Sequence, residues 1–348
     1  MNLHIINKLS LACLIGFGIF TNCSSKKEKS LFDQLIDVSG YTLMNTTSRC
    51  QISSANNTNY FASGAVATET STVVDRINAD LPNAGNVEIY YPRGTSVGLP
   101  VVVMFPGGNV HGSFYSRYAS RIAAEGYVVY IPNRCTIFFT QWFLKPSSAA
   151  GNEVYAFAKS QNMDSSSPLF GRLDPEKIAY LGHSLGGVTA LYALNGICQF
   201  PFCDSGSALL SQVKVAVLYG AGLADQLDSS KIILDSSGKA VPVGYLYGSL
   251  DSAFPPKDVQ TSYANYKASK YLVEFEGANH YNITDVNAPF GANPEKSTSV
   301  LSQDAGITSI AQITVLFLNG YIKTNQADIF KLIRNATGVT GVTVTSSP

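Results

Sequence analysis

Short apolar runs alternate along this chain with stretches whose apolar residues fall three and four apart. The clearest run is Leu99-Pro-Val-Val-Val-Met-Phe105. A strand covered on both faces reads this way, whereas a strand with one wet face alternates. Comparable runs follow at 127–132, 177–183, 213–219, 242–247 and 271–276, and 87–92 alternates. Between them the spacing predicts helices over 114–126, 151–160, 185–194, 257–269 and 308–322, with a further turn at 328–333. Strands alternating with helices predict an α/β fold with a mostly parallel central sheet flanked by helices. Residues 39–70 are rich in Asn, Ser and Thr without a period, so irregular chain is expected, with a strand near 60–66 and a short helix at 31–37. From Thr337 the sequence is polar and is expected to fray. The chain thus divides into a leader (1–22), a tether and irregular segment (23–84), the α/β domain (85–336) and a polar tail (337–348).

In such sheets the site forms at the carboxyl ends of the strands. The segments that matter are therefore 106–112, 133–146, 184, 220–228, 248–256 and 277–284. One carries Gly182-His183-Ser184-Leu185-Gly186, preceded by a strand, with Asp174-Pro175-Glu176 marking a turn before that strand, and followed by an Ala- and Leu-rich helix. G-x-S-x-G between strand and helix is the pattern of a nucleophile elbow. The serine sits in a strained turn that lifts its hydroxyl clear of the sheet. The glycines two before and two after are expected because side chains there would meet each other. The first N–H groups of the helix point at whatever the serine attacks.

A serine hydroxyl needs an adjacent base, usually histidine. The chain has four. His4 lies in the leader, His183 leaves the elbow in another direction, and His111 follows the central strand. His280, in Asn279-His280-Tyr281 just past the last parallel strand, is the candidate base. The acid that orients it should lie between residues 184 and 280. Asp251, a few residues beyond a strand end, is the candidate, with Asp225 and Asp228 the alternatives one strand earlier. An oxyanion needs two backbone N–H donors. Leu185 supplies one; Gly108, or alternatively Asn109, supplies the other from the loop Pro106-Gly107-Gly108. Phe138, Phe139, Trp142 and Phe143 follow a strand and stand as candidates for an acyl pocket or lid, and Phe254 and Tyr281 as candidate walls beside the triad.

Taken together, Phe105-Pro-Gly-Gly108, Ser113-Phe-Tyr-Ser116, Gly182-His-Ser-Leu-Gly-Gly187, Gly248-Ser-Leu-Asp251 and Ala278-Asn-His280 resemble the α/β-hydrolase superfamily. The branch resembled is that of chlorophyllases, platelet-activating-factor acetylhydrolases and cutinase-like polyester hydrolases. The resemblance spans roughly residues 87–322 and implies a cofactor-free serine esterase or lipase acting on a small ester or lipid-like substrate. It implies Ser184 as nucleophile, His280 as base, Asp251 as acid, and Gly108 and Leu185 as oxyanion donors. Pro106 departs from it, standing where such chains usually carry the His of a His-Gly pair. A catalytically idle surface protein using the same scaffold for binding is the alternative of a different class.

Charge changes little. The 24 basic and 24 acidic residues balance, so no basic patch points to nucleic acid. No histidine sits at ligand spacing for zinc. The leader carries Lys8 and then an apolar run over 9–20 that is short for a membrane span. It ends at Thr21-Asn22-Cys23-Ser24-Ser25, which resembles a bacterial lipoprotein signal with Cys23 as the lipidated residue. An exported, membrane-anchored protein, periplasmic or at the cell surface, is the expectation. An ordinary secretory signal is the alternative. In an oxidising compartment the remaining cysteines are expected to pair; of the three connectivities open to four cysteines, Cys198 with Cys203 across a small loop and Cys50 with Cys135 is the one favoured by their closeness in sequence.

Overall fold

The computed structural model describes residues 73–81, 85–138, 141–197, 210–223 and 241–347. The leader, Cys23, the segments expected at 31–37 and 60–66, Cys50, Cys198, Cys203, Asp225 and Asp228 lie outside them. Within the hairpin described below, residues 135–138 and 141–142, including Cys135, Phe138 and Trp142, are described by their backbone alone.

In chain order, strands β1 (Val74–Leu81), β2 (Gly85–Pro92) and β3 (Leu99–Phe105) precede a short 3-10 turn (Gly112–Tyr115) and helix α1 (Ser116–Ala124). Strand β4 (Val128–Asn133) leads into a hairpin of β5 (Cys135–Phe138) and β6 (Gln141–Leu144), then helix α2 (Ala150–Met163). Strand β7 (Leu173–His183) ends at the elbow, where helix α3 (Leu185–Leu194) begins. Strands β8 (Val213–Tyr219) and β9 (Val243–Gly248) precede helix α4 (Pro256–Asn265) and strand β10 (Lys270–Phe275). Helices α5 (Gln303–Tyr321) and α6 (Gln326–Ile333) and strand β11 (Val342–Ser347) complete the chain.

Nine of these strands form one sheet in the order β1-β2-β4-β3-β7-β8-β9-β10-β11. The pairs from β4 through β10 are parallel, and β1, β2 and β11 are antiparallel additions at the two ends. This is the α/β-hydrolase arrangement, a mostly parallel sheet flanked by helices. Every residue of β3, β4 and β9 is buried, which is why those strands read as unbroken apolar runs. Their side chains still alternate between two layers. Val102 and Met104 join a core with α1 and α5. On the other face Phe105 meets Tyr180 edge-on, and the Tyr180 hydroxyl lies against Gly151 of α2.

The sheet extends further than the sequence reading placed it. Residues 74–81 add a strand inside the segment expected to be irregular, and the tail is not frayed. Residues 342–347 pair with β10 in full register, from Lys270 opposite Ser347 to Phe275 opposite Val342. The turn expected at Asp174-Pro175-Glu176 is instead absorbed within β7, where the register jumps from Pro100 opposite Asp174 to Val101 opposite Ile178. The aromatic stretch read as a loop is the β5–β6 hairpin. Among the described residues no helix is long and apolar enough to cross a membrane.

Candidate active site

Neighbouring parallel strands β3, β7, β8, β9 and β10 deliver their carboxyl ends to one edge of the sheet. The loops that follow them carry Gly108, Ser184, Gly220, Asp251 and His280 in that spatial order. Residues far apart in sequence therefore meet because the parallel strands supporting them are adjacent.

Ser184 has φ 53° and ψ −127°, a positive φ outside the helical and strand regions, as a strained elbow requires. Its main-chain N–H donates to the Tyr219 carbonyl at 3.0 Å, which ties the elbow to the end of β8. Its hydroxyl makes no capping bond to α3. The glycines do serve close approaches, but not the one expected. A Cβ on Gly186 would fall 2.0 Å from the Phe105 carbonyl oxygen and 2.4 Å from that of Pro106, so this glycine admits the end of β3. A Cβ on Gly182 would fall 2.5 Å from Cα of Gly187, one residue beyond the position expected.

His280 and Asp251 form a buried pair, Nδ1 to Oδ2 at 2.8 Å, with each residue at most 3% exposed. A carboxylate only accepts, so Nδ1–H is the donor of this bond. The other carboxylate oxygen of Asp251 accepts the Phe254 N–H at 2.7 Å, which fixes the carboxyl plane. The pair hangs over β8: a Cβ on Gly220 would lie 2.8 Å from Asp251 Oδ2 and 2.9 Å from His280 Nδ1. Phe254 and Tyr281 are both buried. The Tyr281 ring stands edge-on to His280, and its hydroxyl donates to the Asn293 carbonyl at 2.5 Å. Tyr281 thus backs the imidazole, while Phe254 meets the acid through its main-chain N–H.

His183, expected only to point away, is fully buried and does more. Its Nε2–H donates to the His280 carbonyl at 3.0 Å, since a carbonyl only accepts. Burial pushes its pKa well below the usual imidazole value, the neighbouring His280 adds to this, and the carbonyl bond opposes it only in part. The ring is therefore neutral with Nδ1 bare, and it accepts from the Tyr115 hydroxyl at 2.9 Å. Tyr115 in turn accepts the Gly107 N–H at 2.8 Å. A single buried relay thus runs from the 106–110 loop to the histidine loop. His111 is spent on a local turn, where its Nδ1 accepts the Ser113 N–H, and burial lowers its pKa to about 4.

The donors of the 106–110 loop are mostly committed. The N–H of Gly107 goes to Tyr115, that of Asn109 to the Leu144 carbonyl at 2.9 Å, and that of Val110 to the Gly107 carbonyl at 3.1 Å. Pro106 has none. Within this loop the Gly108 N–H is the one that bonds to no other described residue. It stands beside the start of α3, where a Cβ on Gly108 would lie 3.1 Å from Leu185 Cδ2. The same Cβ would lie 3.3 Å from the tip of Phe143. Asn109, at φ 57°, also accepts the Leu144 N–H through its side chain at 3.1 Å, so it clips the β5–β6 hairpin to this loop.

Sequence reasoning missed Tyr115, Asp285 and Glu295. Asp285 accepts from Ser116 N–H and hydroxyl and from Arg117 N–H, capping α1 from 168 or more residues away. No local motif marks such a cap. Among the described residues no cluster of His, Cys, Asp and Glu could hold a metal ion.

Comparison with known proteins adds two findings. The family model described as PET hydrolase-like matches residues 50–205, which include the β3 loop and the elbow but neither Asp251 nor His280. A bis(hydroxyethyl) terephthalate hydrolase of Streptomyces coelicolor is 30% identical over 110 residues, 31% of this chain. The chain matches about a third (33%) of that relative's length.

Proposed function

We propose that this chain is a serine hydrolase of carboxylic esters. The observation that carries the reading is the buried Asp251–His280 pair over the end of β8, the strand end to which the Ser184 elbow is also tied. Ser184 Oγ attacks the ester carbonyl carbon while His280 Nε2 takes its proton. Asp251 holds the imidazole in the tautomer that leaves Nε2 bare and stabilises the cation that forms. The N–H groups of Gly108 and Leu185 receive the oxyanion; the commitment of the Asn109 N–H to Leu144 favours Gly108 over Asn109. The tetrahedral intermediate collapses, the C–O bond to the alcohol breaks, and the alkoxide leaves with the proton from Nε2. Water then attacks the acyl-enzyme, giving its proton to Nε2. The Ser184 Oγ–acyl bond breaks, Oγ regains the proton, and the acid is freed.

An aromatic diester is the first substrate class to try. The named relative acts on a terephthalate ester, and Phe143 stands against Gly108 beside the oxyanion position. Phe138 and Trp142, on the same hairpin, are proposed to complete that wall. The leader and Cys23 are proposed as the signal and lipid anchor of an exported protein, with Cys198–Cys203 as a loop clasp.

The test is hydrolysis of bis(hydroxyethyl) terephthalate and of p-nitrophenyl acetate, butyrate, octanoate and palmitate, beside Ser184→Ala and Asp251→Asn. Turnover by wild type, with loss of at least about a thousandfold in Ser184→Ala, is the expected result. A wild type inert to all five would leave an idle scaffold that binds rather than cleaves.

A further inference from the structure

Glu295 lies between the histidine loop and α5, remote from every strand end, and the mechanism above makes no use of it. Its carboxylate nonetheless meets both loops of the acid–base pair. Oε2 accepts the main-chain N–H of His280 at 3.1 Å and that of Ser252 at 3.3 Å. Oε1 accepts the Ser252 hydroxyl and the Ser297 N–H, the latter at 2.9 Å. Ser252 directly follows Asp251, so one carboxylate binds the residue after the acid and the base itself. The surrounding chain adds to the strap. Asn293 accepts from the Tyr281 hydroxyl, and the Ser297 carbonyl accepts the Asn279 amide at 3.0 Å. Burial alone would raise the Glu295 pKa, but the bonds from Ser252, Ser297 and His280 together outweigh it and hold the carboxyl below its usual value. Every partner of these oxygens is a donor, which suits a carboxylate and not an amide, whose NH2 would face an N–H.

We propose that Glu295 is a positioning residue that holds the Asp251 and His280 loops in register and so sets the hydrogen bond between acid and base. The inference rests on the esterase reading. Glu295 touches no substrate in this account; it acts through the main chain of His280, the base, and through Ser252, the residue that follows the acid. Misplacing a reacting group by about 1 Å costs on the order of a hundredfold in rate.

The experiment compares the full chain with Glu295→Ala and Glu295→Gln, using p-nitrophenyl butyrate and the downfield proton resonance of His280 Nδ1–H. Glu295→Ala is expected to lose kcat by roughly a hundredfold, with KM within about twofold. Glu295→Gln, which keeps one acceptor, should fall between it and wild type. The Nδ1 proton should be sharp in wild type and lost to exchange in Glu295→Ala. A folded Glu295→Ala with kcat within about twofold of wild type, or with only KM raised, overturns the proposal. Should Glu295→Ala not fold, Glu295→Gln carries the same comparison. If wild type cleaves no ester, the esterase reading fails, and the proton signal alone decides for Glu295: its persistence in the variant refutes the positioning role.

Discussion

Removing one oxygen atom, in Tyr115→Phe, tests the buried relay. The Tyr115 hydroxyl bridges the Gly107 N–H and His183 Nδ1, and the residue is 0% exposed. Phenylalanine fills the same ring space and leaves a buried donor and a buried acceptor facing each other without partners. Each orphaned group costs about 1–3 kcal/mol, so the pair costs ~2–6 kcal/mol. That is a large part of a stability of about 5–15 kcal/mol, yet small enough for the fold to persist. For a chain of this size it corresponds to a fall in Tm on the order of 10 °C. The functional consequence is separate. Gly107 carries the residue whose N–H is proposed to meet the oxyanion, and loss of one oxyanion donor costs about 100- to 1000-fold. A donor loosened but not removed should cost less, roughly 10- to 100-fold in kcat. Thermal unfolding and p-nitrophenyl butyrate kinetics on the same preparation read both effects. An unchanged Tm with unchanged kcat would show that the hydroxyl bridges nothing of consequence, and the relay would be discarded.

Other substitutions probe the rest of the site. Gly186→Ala places a methyl 2.0 Å from a carbonyl of β3, a backbone clash that no side-chain rotation relieves; expression as folded protein with wild-type kcat would contradict the elbow geometry. Because His183 is held neutral, the unfolded chain takes up a proton below about pH 6.5 that the folded chain refuses, so stability rises with pH there. The loss on acidification is about 1.4 kcal/mol per pH unit below that point, fading only at the depressed folded value. His183→Asn should therefore flatten the dependence of Tm on pH between 6.5 and 5 relative to wild type, in approximate terms by that slope; parallel curves would refute it. Asn109→Ala frees the β5–β6 hairpin and should raise KM for aromatic esters more than for acetate, whereas equal shifts would deny the hairpin a part in binding.

The buried strands and the elbow were legible because their physics is local. Leu99–Phe105 and Val213–Tyr219 announce burial on both faces in composition alone. His280 is reached by elimination among four histidines, and Asp251 by the chain order of such sites and its place beyond a strand end. What escaped notice was decided by context. Strand β11 repeats Val-Thr-Val-Thr, a period of two, but its outward residues are exposed and only Val344 is buried, so its polarity resembles a tail. The stretch 135–144 that forms the β5–β6 hairpin holds no glycine or asparagine of the kind that marks most tight hairpins. Glu295 sits in no motif, and Tyr115, although inside the Ser113–Ser116 stretch, carries no local sign of its role, because each gains that role from partners up to 68 and 43 residues away. Gly186 was placed correctly for a different reason: it admits β3, and Gly182 meets Gly187.

The central claim is that Ser184 is a nucleophile activated by His280. The most direct measurement is covalent labelling of the purified chain by a fluorophosphonate, with the adduct located by peptide mass spectrometry. The account predicts a single phosphonyl adduct on Ser184, formed rapidly by wild type, abolished in Ser184→Ala and slowed by orders of magnitude in His280→Ala. Wild type that stays unlabelled, or carries the adduct on another residue, contradicts it.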